Sequence, residues 1–582
     1  MIRLRKARLS AGIVVGVAAL VTPLAAISAT ATTAAAAPVT APTTYHGTPG
    51  AAERLSQAAS VSSLPKVASA FRNEGPRALT PLGLRGPSAV GAGVAPAESV
   101  STASGTISHS GVIAAFNGLS NLDSDNLNGF PITPPDQGLC VGRDPTLAGS
   151  PKAVFEPINL ADRETTPGGA LLRPDVSLAT LFQDPYAEGD VRCLYDQQTQ
   201  SFYFTEIGFP VATGPAADDN NTTADVVVMN KNGVAAYQFD TSLGGPTAGD
   251  CFGDQPKTGF DNNALVISTD EYCGPTESNY EGAIALVISK PELIAEAPTV
   301  SDSVIGPVSL AGNPVVGMDP AIATGTSTGY LVNSVPFLAN GDNNPVGNTL
   351  GLWTLTDSAA VTTGQGTPSL TSKVLPSEPY AFPVPATSTG DGSTHTVNGM
   401  VITSETALNP DDSRLSGPVE VTRGFGGQIQ LWTALDAAVS PRGDTTARDA
   451  AAWFQVNATR GYVAQQGYVT ARHANLLYPA IGAPQFGSPE MVFTITSATI
   501  NPSAAYTRLG SGRITTVAAG TGPHLSFSDA PPFNQARWGD YSFAQPDPSG
   551  NGVWLATEYI PPTQFQDPSD NWGTYVFEVT GH

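Results

Sequence analysis

Positive charge is scarce in this chain: 27 Lys and Arg stand against 50 Asp and Glu, a formal charge of −23. So acidic a surface repels nucleic acid and anionic lipid, and it attracts cations and basic partners. Histidine is scarcer still. His46, His109, His395, His473, His524 and His582 are scattered and form no His-x-x-x-His pair, which argues against a zinc hydrolase. No Gly-rich phosphate loop and no dinucleotide fingerprint occurs.

Apolar runs long enough to cross a bilayer are missing as well. The one run near that length, residues 11–26, is short and broken by Pro23. Arg3, Arg5, Lys6 and Arg8 precede it and small residues follow it, so a signal peptide over 1–37 is expected, cleaved at Ala29-Thr30-Ala31 or within 34–37. Those four bases leave with it and no acid does, which takes −23 to −27. A secreted, extracellular protein with no membrane span is expected, and a monomer.

What is plentiful is Gly and Pro, at 60 and 50 residues, while charged residues make up only 13%. That balance suits an all-β protein with many turns. Residues 38–108 are rich in Ala, Ser, Thr, Pro and Gly and read as a linker or pro-segment, with a short helix expected near 51–59. From 109 to 582 the text is strand, turn, strand.

One hairpin recurs with its acids in register. It reads Gly189-Asp190-Val-Arg-Cys-Leu-Tyr-Asp196, a turn, then Phe202-Tyr-Phe-Thr-Glu206. It returns as Gly253-Asp254 with Glu271, and as Gly539-Asp540 with Glu558. Looser copies start at Asp136 with Asn159, at Asp319 with Asn333, at Tyr380, and at Tyr478. Repeated strand-turn-strand units stack as the blades of a propeller. Seven hairpins make seven blades, with six as the alternative count. The segment 111–119 would supply the strand that blade seven lacks and so close the ring. Residues 436–452 read as a helix inserted in blade five.

In an antiparallel hairpin, opposed residues share a face. Symmetry about each turn opposes Asp190 to Glu206, Asp254 to Glu271, Asp540 to Glu558, Asp319 to Asn333 and Asp136 to Asn159. One rim should therefore carry Asp136, Asp190, Glu206, Asp254, Glu271, Asp319, Asp540 and Glu558. Paired carboxylates need a cation, a shared proton or strong donors. Two readings follow: Ca²⁺ or ligand contacts at the channel mouth, or acids that accept backbone N–H groups where one blade enters the next. Arg192, Arg537, Tyr478 and His473 could frame an anion pocket on the same side, or the two arginines could neutralise the rim.

Four Cys in an exported chain suggest two disulfides, Cys251–Cys273 within blade three and Cys140–Cys193 between blades one and two. Gly325-Thr-Ser-Thr-Gly329 matches a nucleophile elbow but sits in a β-turn. Asp123-Ser-Asp125-Asn-Leu-Asn128 reads as a polar turn, or as a Ca²⁺ loop out of register.

The stretches Arg537-Trp-Gly-Asp-Tyr-Ser542, Trp554-Leu-Ala-Thr-Glu-Tyr559, Trp572-Gly-Thr-Tyr575, Pro134-Pro-Asp136 and Gly253-Asp-Gln-Pro256 resemble a group of secreted bacterial propeller proteins of unassigned activity. A looser likeness is to the sialidase-like superfamily. That resemblance implies Asp boxes (Ser-x-Asp-x-Gly-x-Thr-Trp), an arginine triad and a Tyr–Glu nucleophile pair. None of these motifs is found here, so no catalytic residue carries over. Two function classes remain: a module that binds or scaffolds extracellular glycan or protein, with Ca²⁺ as its candidate cofactor, or a carbohydrate-active hydrolase or lyase using carboxylates at the channel mouth.

Overall fold

The computed structural model describes residues 42–70, the dipeptides 77–78, 95–96 and 102–103, and residues 111–580 apart from 212–220, 242–250, 275–278, 336–345, 391–393, 398–399, 404–406, 442, 530–535 and 551. The leader expected over 1–37 lies outside the described residues.

The protein is all-β and built as a propeller. Seven four-stranded antiparallel units follow one another along the chain, and we read them as blades 1 to 7. Their first strands are Cys140–Arg143, Gly189–Asp196, Cys251–Phe260, Asp319–Pro320, Leu415–Arg423, Asn475–Gly482 and Phe543–Pro546. Successive first strands touch one another. The last returns to the first through Gln545 Oε1, which accepts the Val141 N–H at 3.2 Å. The ring closes as its orphan segment suggests: Val112–Ser120 pairs antiparallel with Gly573–Thr580 as the fourth strand of blade 7.

Many strands are buried along their whole length, such as Ser201–Gly208, Ala264–Cys273 and Glu490–Ser497. Blades pack on both faces, so polar residues do not alternate outward and period-two patterning is weak. This explains one misreading. Residues 436–452 are not a helix but parts of two paired strands, Ile429–Ser440 and Arg448–Asn457, in blade 5. Their alanines are small because neighbouring sheets pack closely there. The first strand of blade 5 is Leu415–Arg423 rather than the segment at Tyr380. Tyr380 ends the outer strand of blade 4, where its hydroxyl donates to Thr349 O at 2.6 Å.

Part of the segment before the ring lies among the described residues. Where a short helix was expected, Thr48–Ala58 is a strand lodged between blades 2 and 3. Residues 54–58 pair with the outer strand of blade 2, and residues 48–53 pair with that of blade 3. Residues 123–128, read as a polar turn or Ca²⁺ loop, belong to a helix, Asn121–Asn128. Ser120 caps it, its backbone N–H donating to Asp123 Oδ2 at 2.9 Å, and Gly129 ends it at φ 85°. Both disulfides form, Cys140–Cys193 between blades 1 and 2 and Cys251–Cys273 across the first hairpin of blade 3. Among the described residues no helix is long and apolar enough to cross a membrane.

Candidate functional site

Each first strand starts at the ring's mouth, and several start with a bulge. The ladders skip between Gly189 and Arg192, Asp254 and Lys257, Ser416 and Glu420, and Leu477 and Ala480. A left-handed residue sits inside each skip: Asp190 at φ 54°, Gln255 at 48°, Gly417 at 75° and Tyr478 at 54°. A bulge re-aims side chains. It also corrects the register read from sequence. Glu271 opposes Gly253, not Asp254, which opposes Asp270. Asp319 opposes Val332. Glu206 stays opposite the bulge that holds Asp190 and pairs on its other side with Asp225.

Three of the expected acids converge. Asp136, Asp190 and Asp540 each bring a carboxylate oxygen within 4.8 Å of the other two. Asp136 Oδ1 accepts the Asp540 N–H at 2.8 Å, and its Oδ2 accepts from Asn159 Nδ2 at 2.9 Å. Asn159 Oδ1 accepts the Asp190 N–H at 2.9 Å. One Asp and one Asn thus tie the starts of blades 7, 1 and 2. The same joint recurs elsewhere. Asp270 accepts the Gly317 N–H at 2.9 Å, and Asp436 accepts the Tyr478 N–H at 3.0 Å. Backbone joints between blades are therefore a real role for acids at this rim.

Burial sets the protonation of the three. It pushes Asp136 up to about 7, with Asp190 adding repulsion. It pushes Asp190 up to about 8, with Asp254 and Asp540 adding to it. Asp540 is also held well above the usual range by burial, against the pull of Arg537, whose Nη2 lies 2.5 Å from its Oδ1. Glu558 and Glu271 are buried and rise to about 8. Asp319 rises only to about 6, because Lys257 Nζ stands 3.2 Å away.

Beside the triad a polar cavity opens at the mouth. Its lining includes Arg192, Lys257, Asp411, Arg414, Tyr478 and Asp540, drawn from blades 2, 3, 5, 6 and 7. The Arg192 guanidinium lies 3.2 Å from the centre of the Tyr541 ring. The Tyr478 hydroxyl donates to Asn409 O at 2.8 Å. Arg414 meets Asp412 at 2.8 Å and Asp411 at 2.9 Å. Of the four residues expected to frame a pocket, Arg192 and Tyr478 line this one and Arg537 stands just behind Asp540. His473 is elsewhere, exposed in a turn, with Nδ1 3.3 Å from Asp444 Oδ2. Sequence reasoning misses Asp411, Asp412 and Arg414 because they precede a blade whose first strand the hairpin repeat misplaces. The run Asp411-Asp-Ser-Arg414, three residues before the bulge glycine Gly417, is the signal available.

No family model matches the chain, and no curated protein matches it. Among solved structures it resembles an α-L-arabinofuranosidase, Arb93A from Fusarium graminearum, at 13% identity and a TM-score of 0.33, over 66% of this chain and 91% of that one. It also resembles Trypanosoma rangeli sialidase at 10% identity and 0.28, over 65% and 53%. The BP39L lectin of Burkholderia pseudomallei follows at 12% and 0.25, over 70% and 99%. Likeness at this level says nothing about activity or substrate, and the functional reading rests on this chain's own residues.

Proposed function

We propose that the protein is an extracellular binding module that holds glycan, or the glycan of a partner protein, at the mouth of the ring. The observation that carries this reading is the mixture of cationic and anionic side chains at the mouth; the cavity they line is only about 10 Å³, so a glycan would lie across it rather than inside it. Arg192, Arg414 and Lys257 line it beside Asp411, Asp436 and Asp540. A sugar hydroxyl donates and accepts at once, so neighbouring hydroxyls pair well with such interleaved groups. Ca²⁺ dependence would enter at Asp136, Asp190 and Asp540, whose oxygens a hard cation prefers and whose third member reaches the cavity.

A carbohydrate-active enzyme is the second reading. It draws on Asp190 and Asp540, whose carboxyls burial pushes up, the direction a general acid requires. Against it, Asp136 and Asp190 are buried and each serves a blade joint. A glycan-array screen with and without EDTA, paired with a reducing-sugar release assay on the bound glycans, separates the two. Binding without release supports the module. Release that is lost in Asp540→Asn supports the enzyme, and no binding to any glycan removes both.

A further inference from the structure

Among the described residues the two most exposed large apolar side chains stand on neighbouring turns. Phe425 is 97% exposed and Phe486 is 79% exposed. Each lies between the first two strands of its blade. Phe425 follows Leu415–Arg423 and precedes Ile429–Ser440 in blade 5, and Phe486 follows Asn475–Gly482 and precedes Glu490–Ser497 in blade 6. First strands start at the mouth, so these turns lie at the opposite end of the ring.

The two turns are fastened to each other. The Arg423 N–H donates to Gln485 Oε1 at 2.9 Å, and Gln485 Nε2 donates back to Arg423 O at 3.1 Å. Arg423 Nη2 reaches on to Gly325 O, in the matching turn of blade 4, at 2.8 Å. The second turn of blade 5 joins them, its Thr459 Oγ1 accepting the Ile429 N–H at 2.9 Å. That turn brings Arg460, and Lys373 Nζ donates to the Arg460 carbonyl at 3.3 Å. The tip beside Phe425 projects freely: a Cβ added at Gly426 or Gly427 would meet nothing within 4 Å.

Charge here runs against the chain as a whole, whose formal charge is −23. Residues 323–328, 424–428, 458–461, 483–489 and 509–512 are turns at this end of blades 4 to 6, and they hold no acid. Asp357, in the outer turn of blade 4, stands against Arg423, Arg460 and Lys373. Salt screens charges more than about 8 Å away, so a surface touching these turns meets bases and aromatic rings. Exposed apolar groups gathered together mark an interaction site. Two projecting rings with bases beside them make no socket for a peptide. They suit a partner that is flat, soft and anionic, since aromatic rings settle at a membrane interface and bases are drawn to anionic headgroups.

We propose that this end of blades 5 and 6 docks on an anionic lipid surface, with Phe425 and Phe486 entering the acyl boundary and Arg423 and Arg460 meeting the headgroups. The assignment is independent of the glycan reading, whose residues line the mouth at the other end.

The test uses the full chain, sedimented with vesicles of phosphatidylcholine alone or with one-third phosphatidylglycerol. The wild type should pellet with the anionic vesicles and stay in solution with the neutral ones. Phe425→Ser combined with Phe486→Ser should cut partitioning about tenfold or more, and Arg423→Gln combined with Arg460→Gln should weaken it and flatten its salt dependence. Glycan binding at the mouth should be unchanged in both. If the paired Phe variant does not fold, Phe425→Ser alone carries the readout. A wild type that ignores anionic vesicles, equal pelleting with neutral ones, or a Phe variant that partitions like the wild type overturns the proposal. So does a dimer in sedimentation equilibrium that the Phe variant dissolves, because a second copy then covers the two rings.

Discussion

Glu271 Oε1 rests over the bare Cα of Gly253, where an added Cβ would stand 3.0 Å away. Glu558 Oε1 does the same over Gly539, at 2.8 Å. The recurring Gly-Asp…Glu text is thus a packing unit. The glycine makes room for the glutamate of the next strand and leaves the aspartate beside it at the ring's mouth.

Gly539→Ala should therefore destabilise the fold without touching the cavity. Glu558 is fully buried and has little room to retreat. A cost of about 1–3 kcal/mol is expected for such overpacking, read as a lower denaturant midpoint. Gly253→Ala should cost less.

The disulfides should differ in worth. Cys140–Cys193 closes 53 residues and Cys251–Cys273 closes 22. Constraint of the unfolded chain predicts about 4 and about 3 kcal/mol respectively. Double Cys→Ser variants compared by chemical denaturation check the order.

Stability should fall as pH rises, in the presence of chelator. Asp136 near 7 and Asp190, Glu271 and Glu558 near 8 all have folded values above their unfolded ones near 4. Their contribution is full below about pH 4 and is lost as pH rises through 7 to 8. Two groups act the other way. Asp547, held down at about 2 by the bonds from Lys152, Ser549 and Trp554, supports the fold above pH 4 and loses that as pH falls toward 2. His524, buried neutral at about 4, opposes acidification between 6.5 and 4. Thermal melts should peak near pH 4, where the four raised acids outweigh His524, and drop clearly by pH 8.

Deleting residues 42–58 should open the outer edges of blades 2 and 3, since Thr48–Ala58 pairs with both. Of that strand's eleven residues only Ala52 is buried, so it is held largely by its backbone. Exposed edges template aggregation. A lower melting temperature and concentration-dependent light scattering are expected.

Much of the ring is legible in the sequence, because hairpin repeats and the closing segment 111–119 are local signals. Register is not. A left-handed Gln255 inside a bulge is invisible to symmetry about a turn, so Asp254 comes to oppose Asp270 instead of Glu271. Blade 5 hides because Ser416-Gly417-Pro418 replaces Gly-Asp at its start. Its strands across residues 436–452 are also buried on both faces and mimic a helix: Ala437, Ala438, Ala450, Ala451 and Ala452 are all fully covered. Asp184 and Asp225 converge over Gly208 from different elements, which no spacing rule links.

Glycan binding at the ring's mouth depends, on this reading, on Arg192 and its neighbours. Calorimetric titration of the best array glycan into the wild type and Arg192→Ala tests it most directly. At least a tenfold loss of affinity in Arg192→Ala, about 1.4 kcal/mol or more, in a chain that still unfolds cooperatively above the assay temperature, is the result expected. Equal affinity in the two proteins would contradict it.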